Sequence, residues 1–240
     1  RRVQEAFGKD FRKATKLERR GVFEAYTKRL EPAAMLDVLE AEYPLCHGEA
    51  HELGKVVLAK TKDLILAIGT CRDRCSGGCF HGVLMETFRN IVPAHSSLDE
   101  HVVLGELKAK ISEVCDQPAL TAIHKKGNCA HGVGHALTFL ADYDLGQALD
   151  ACSLLGSRPL EFYCSGGAFM EYDLVAGEQD LPTKPLFYPC ETFTKFPAAC
   201  YRYKAKRLTR RVNPEVLLEQ CLRLGGFERL GCFHGWGFAY

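Results

Sequence analysis

Two stretches pair histidines four residues apart, His47-Gly48-Glu49-Ala50-His51 and His131-Gly132-Val133-Gly134-His135. On a helix that spacing stacks both imidazoles on one face, one turn apart. His81 and His234 stand in related stretches, Cys79-Phe80-His81-Gly82 and Cys232-Phe233-His234-Gly235, so six imidazoles occupy equivalent places. Met85 and Met170 sit where two further copies would carry the second His, and Glu86 and Glu171 follow them. Imidazole with thioether suits copper, and imidazole with carboxylate suits zinc or iron. The expected metal ligands are therefore His47, His51, His81, His131, His135 and His234, with Glu86 and Glu171 as proton-handling carboxylates beside the metal. The HExxH peptidase arrangement is absent, because Glu49 is displaced by one position from the place that motif requires.

The motif recurs along the chain. Aligned on the first His, its copies start at 47, 81, 131, 166 and 234, and Gly166 replaces the His in the fourth. The steps are 34, 50, 35 and 68 residues, and the last is two units of 34, so a worn copy is expected near Cys200-Tyr201-Arg202-Tyr203. A period of this length signals stacked supersecondary units.

Twelve cysteines in 240 residues fall into a regular framework. Cys115 and Cys129, Cys152 and Cys164, Cys190 and Cys200, Cys221 and Cys232 pair across 10 to 14 residues, and Cys71 and Cys79 across a shorter gap. Cys46 and Cys75 remain and pair by elimination. Such a framework implies an oxidising compartment, so the chain is expected to be secreted, periplasmic or lumenal. The chain opens on Arg1-Arg2 without Met, and a targeting segment is expected to precede it.

The positioning elements read as helices. Residues 3–29 carry Val3, Phe7, Phe11 and Ala14 on one stripe and read as one N-terminal helix. Pro32 opens the next, with Met35, Leu36 and Leu39 buried, and Pro44 ends it. Ser97-Leu98-Asp99-Glu100 reads as a capping box after the breaker Pro93. Leu145 to Leu155 presents an apolar face and stops at Gly156, and Asn213-Pro214 opens the last clear helix. Alternating strand patterns are lacking. The expected fold is all-α, with residues 1–30 as an N-terminal helix and 31–240 as about six disulfide-stapled hairpins. In each hairpin the first helix ends near a Cys and the second begins with one. In architecture alone this resembles tetratricopeptide-like and Sel1-like solenoids, whose consensus residues are missing here. Either a tight superhelical solenoid or a closed α/α toroid accommodates the pattern. Only an arrangement that makes the units converge lets the two His pairs share an ion, with Tyr163, Tyr172 and Trp236 as candidate lining.

Composition bounds the rest. An apolar fraction of 47% supports a packed core rather than a disordered chain. No run of about 18 apolar residues is present, so no membrane span is expected. A net charge of +1 argues against a general nucleic-acid binder. The basic run Lys204, Lys206, Arg207, Arg210, Arg211 reads as a solvated face. The first functional expectation is an extracytoplasmic copper or zinc protein with catalytic capacity. The alternative is a helical-repeat interaction module that binds a protein or peptide on its concave face, its CxHGxxH motifs being structural.

Overall fold

A computed structural model describes residues 2–43, 46–91, 101–118, 126–176 and 183–238. Pro44, Pro93 and the capping box at Ser97 to Glu100 lie outside the described residues. Within them the chain is all-helical and contains no strand. The helices are α1 (Arg2–Lys13), α2 (Arg19–Tyr26), α3 (Pro32–Glu42), α4 (His47–Thr61), α5 (Leu64–Thr70), α6 (Gly78–Arg89), α7 (His101–Cys115), α8 (Lys126–Leu140), α9 (Leu145–Ala151), α10 (Arg158–Val175), α11 (Pro197–Leu208), α12 (Pro214–Arg223) and α13 (Gly226–Gly237).

Local chemistry sets their ends. Asp63, Asp144 and Asn213 cap α5, α9 and α12 by accepting from backbone N–H groups in the first turn. Gly156, at φ +68°, ends the 3-10 turn Cys152–Leu155 that follows α9, in the left-handed conformation that glycine adopts without steric cost. The single N-terminal helix expected over 3–29 is instead two. Glu18 accepts from both the backbone N–H and the hydroxyl of Thr15, each at 2.8 Å, half of a capping-box arrangement that ties the break just before α2. Phe7, Phe11 and Phe23 are fully buried between the two helices, and the Tyr26 hydroxyl donates to Asp10 at 2.6 Å.

All six expected disulfides are present: Cys46–Cys75, Cys71–Cys79, Cys115–Cys129, Cys152–Cys164, Cys190–Cys200 and Cys221–Cys232, and no cysteine is free. The second helix of each stapled pair does not begin at its Cys. It starts one to six residues earlier, as α10 at Arg158 does before Cys164, because the sulfur must reach sideways to the incoming segment and not along the helix axis. The segment bearing Cys190 is built of turns rather than helix.

The helices that carry the His-Gly motifs lie side by side. Packing runs from α4 to α6, α6 to α8, α8 to α10, α10 to α11 and α11 to α13. Glycine makes three of these contacts very close. A Cβ on Gly82 of α6 would fall 2.0 Å from the His51 carbonyl oxygen of α4. One on Gly167 of α10 would fall 1.9 Å from the His131 carbonyl oxygen of α8, and one on Gly235 of α13 2.1 Å from Arg202 of α11. These glycines bring backbones together, and at Gly82 the adjacent His81 is carried inward.

Candidate metal centre

His47 and His51 project from the first two turns of α4, His81 from the first turn of α6, and His131 and His135 from the middle of α8. Their rings converge. Centroids of His47 and His135 are 5.2 Å apart, those of His51 and His135 4.9 Å, and His81 stacks on His135 at 4.7 Å. One nitrogen from each of His47, His51, His81 and His135 lies within 4.8 Å of the other three, and all four side chains are buried. The His47 and His51 Nε2 atoms are 3.0 Å apart, and the His81 Nδ1 is 3.4 Å from the His47 Nε2. A tetrahedron with Zn–N bonds of 2.0–2.1 Å has edges of about 3.3–3.4 Å, so the two short separations are close to those of one ion, and a gap as wide as 4.8 Å would have to close by about 1.4 Å. His131 stands beside the four, its Nε2 3.2 Å from that of His135.

The outer nitrogens fix which atom faces inward. The His47 Nδ1 is 2.8 Å from the Cys75 carbonyl oxygen, which can only accept, so the proton sits on Nδ1 and the Nε2 lone pair points into the cluster. The His135 Nδ1 donates to the Glu171 carboxylate at 2.8 Å, and the His131 Nδ1 faces the Tyr163 carbonyl at 3.3 Å. A ring whose far N–H is held by a carbonyl or carboxylate is the arrangement that orients metal-bound histidine and raises its basicity. The Cys46–Cys75 bridge bears on this directly, since it anchors the loop that supplies the His47 partner. Cys75 and Ser76 in that loop adopt φ +51° and +55°, and the Cys75 N–H donates to Glu40 at 3.0 Å.

Burial holds the imidazoles neutral. It drives His47 and His135 down to about 3, helped at His47 by the neighbouring His135. His51, His81 and His131 are likewise pushed well below the usual histidine range by burial and by one another. Neutral imidazole is the form that binds metal. Burial also raises Glu171 to about 7, against the opposing pull of His47 and Lys55 and a hydrogen bond from Tyr143.

Not every candidate residue joins the centre. His234 is exposed on α13 and stacks on Phe238 at 5.5 Å. Glu86 is buried but pairs with Arg89 on its own helix, and its Oε2 has no partner among the described residues. Met85 is core, and Met170 lines a cavity next to His47. Tyr163 contributes its carbonyl rather than its half-exposed ring, and Trp236 donates to the Pro214 carbonyl at 3.3 Å. The aromatic that does reach the centre is Tyr203, in the stretch expected to hold a worn copy of the motif. Its hydroxyl is 3.4 Å from the His131 Nδ1 and the two rings are 5.2 Å apart. A Cβ on Gly166 would lie 2.8 Å from the Tyr203 ring, so the fourth copy has Gly because Tyr203 fills the space beside it.

Comparison with known proteins finds no matching family, no similar curated protein and no similar solved structure. What fold and site define is a disulfide-bonded helical protein with a buried histidine cluster able to hold a metal ion. Six disulfides with no free cysteine point to an oxidising compartment, and no helix among the described residues is long and apolar enough to cross a membrane.

Proposed function

We propose that this is an extracytoplasmic metalloprotein that binds copper or zinc through His47, His51, His81 and His135, with His131 as a neighbouring fifth imidazole. One observation carries the reading. Four buried imidazoles from three helices bring nitrogens within 4.8 Å of one another, in surroundings that keep them unprotonated. Burial disfavours the doubly protonated ring that would compete with a cation, so the inward nitrogens, which share N–H contacts such as the 3.0 Å one between His51 and His47, remain available to bind one. An all-imidazole set suits zinc and copper alike.

Glu171 enters the reading as the carboxylate that orients His135. A metal here would activate water or dioxygen at any coordination position the chain leaves open, with Glu171 the carboxylate closest to it. Glu86 belongs to a separate ion pair and has no part in this centre.

The test is metal content after purification without a histidine tag. His51→Ala and His135→Ala should each lower bound copper or zinc, while His234→Ala should leave it unchanged. Equal metal content in all three variants would contradict the assignment.

A further inference from the structure

Five non-glycine residues among those described take a positive φ, and four of them form two adjacent pairs. The first pair, Cys75 and Ser76, contains the carbonyl that holds His47. The second, Asp142 and Tyr143 at φ +49° and +65°, lies in the turn between α8 and α9. The Asp142 N–H donates to the Phe139 carbonyl at 3.2 Å and the Tyr143 N–H to the Thr138 carbonyl at 3.0 Å, which closes α8 in the manner of a Schellman cap. That cap ordinarily takes glycine, and a left-handed backbone at a bulky aromatic is rare enough to need a reason. Asp144, the next residue, caps α9, so both flanking helices hold the turn in its strained form.

The reason lies at the tip of the Tyr143 side chain. Its hydroxyl donates to the Glu171 carboxylate. The Glu171 Oε2 is in turn 2.8 Å from the His135 Nδ1 and 3.5 Å from the His51 Nδ1, so one oxygen faces the outer nitrogens of two rings. Those rings ride on different helices. α4 packs on α6 and α6 on α8, so α6 stands between the helix of His51 and the helix of His135. Glu171, from α10, joins the two rings through their outer nitrogens. An imidazole that ligates through Nε2 keeps its proton on Nδ1, so with both rings ligating, Glu171 would face two N–H groups. A glutamate carboxylate turns broadly about its last torsion unless a further partner fixes it.

We infer that Tyr143 is a positioning residue of the histidine centre, holding the Glu171 carboxylate in the rotation that faces His51 and His135 together. The strained turn after α8 is the backbone geometry that brings its hydroxyl there. The chain from Tyr143 to His135 rests on the turn and on Glu171, and its value for a metal rests on the function proposed above.

Tyr143→Phe keeps the ring and removes one oxygen, and two readouts on tag-free protein test its effect. In chelator-treated protein the His135 Nδ1–H gives a downfield proton NMR signal, assigned by its loss in His135→Ala. Tyr143→Phe should shift or broaden that signal while helicity and melting temperature stay close to wild type. In copper or zinc competition against a chromophoric chelator, Tyr143→Phe should lose about tenfold in affinity, the lower end of the range for an orienting partner. Because Tyr143 acts through Glu171, the Tyr143→Phe, Glu171→Gln double variant should bind no more weakly than Glu171→Gln alone. These results together would support both readings. A shifted signal in a protein that holds neither metal would support the chain from Tyr143 through Glu171 to His135 and reject the metal centre. An unmoved signal, metal binding at wild-type affinity in Tyr143→Phe, or losses that add in the double variant, would overturn the role of Tyr143 without touching the metal centre.

Discussion

Replacing Gly82 by Ala separates the ligand-bearing helices without touching a ligand. A Cβ at this position would sit 2.0 Å from the His51 carbonyl oxygen and 2.6 Å from its carbonyl carbon. Real Cβ contacts do not fall below 3.0 Å, so α6 must retreat from α4 by about 1 Å, the difference between 3.0 and 2.0 Å. The obstacle is backbone, and no side-chain rotation relieves it. His81 rides on α6, and His47 and His51 ride on α4, so the retreat enters the ligand separations directly. Metal–ligand distances in the bound state hold to about 0.2 Å, so the retreat adds to the closure the cluster must already make on binding. Gly82→Ala should therefore weaken metal binding by at least about 10- to 100-fold, comparable with losing an orienting partner. It should also cost about 1–3 kcal/mol of stability through overpacking. Gly105→Ala is the control. Gly105 is exposed on α7 and a Cβ there would meet nothing within 4 Å, so Ala should be neutral or stabilising by about 0.5–1 kcal/mol. Competition against a chromophoric chelator reads the affinity, and thermal melting reads the stability. A Gly82→Ala protein with wild-type metal affinity and wild-type melting temperature would refute the claim that this close approach builds the site.

Further outcomes follow from the same geometry. Glu171→Gln keeps the shape but removes the charge that holds the His135 N–H, so metal affinity measured by chelator competition should fall about 10- to 100-fold with little change in fold. The Cys46→Ala, Cys75→Ala double variant frees the loop whose carbonyl holds His47, and should lose metal affinity as well as roughly 2–3 kcal/mol of stability, read by the same competition and by denaturant melts. Acid should destabilise the metal-free protein. His47 and His135 stay neutral in the fold down to about 3 but protonate below about 6.5 once unfolded, so their contribution is lost as pH falls through that window. Glu171, raised to about 7, takes up its proton in the folded state and opposes this loss between about 7 and 4.5. Denaturant melts across pH should thus be steepest between about 4.5 and 3, and a flat profile there would contradict buried neutral imidazoles.

Much of this was legible in the residues. The HGxxH pairs mark two helices of the histidine cluster because their four-residue spacing stacks both rings on one helical face. The six disulfides follow from regular local spacing, with Cys46–Cys75 left as the remainder, and that remainder proves to position His47. What the sequence does not disclose depends on helix rotation and long-range packing. His81 and His234 have the same local motif, yet α6 turns its imidazole inward while α13 leaves His234 exposed. Tyr203 lies 72 residues from His131, and only the packing of α10 against α11 brings it near. The basic run looks solvated because charge patterns do not reveal that Lys204 is buried on Asp173. One missed signal was available: Thr15 and Glu18 form half of a capping-box pattern at the break in the N-terminal helix.

X-ray absorption and anomalous diffraction at the zinc and copper edges, on tag-free protein, test the central claim most directly. The account predicts one stoichiometric ion bonded to nitrogens of His47, His51, His81 and His135 at about 2.0–2.1 Å, with His131 close by. A protein that binds neither metal, or binds it only at other residues, would contradict it.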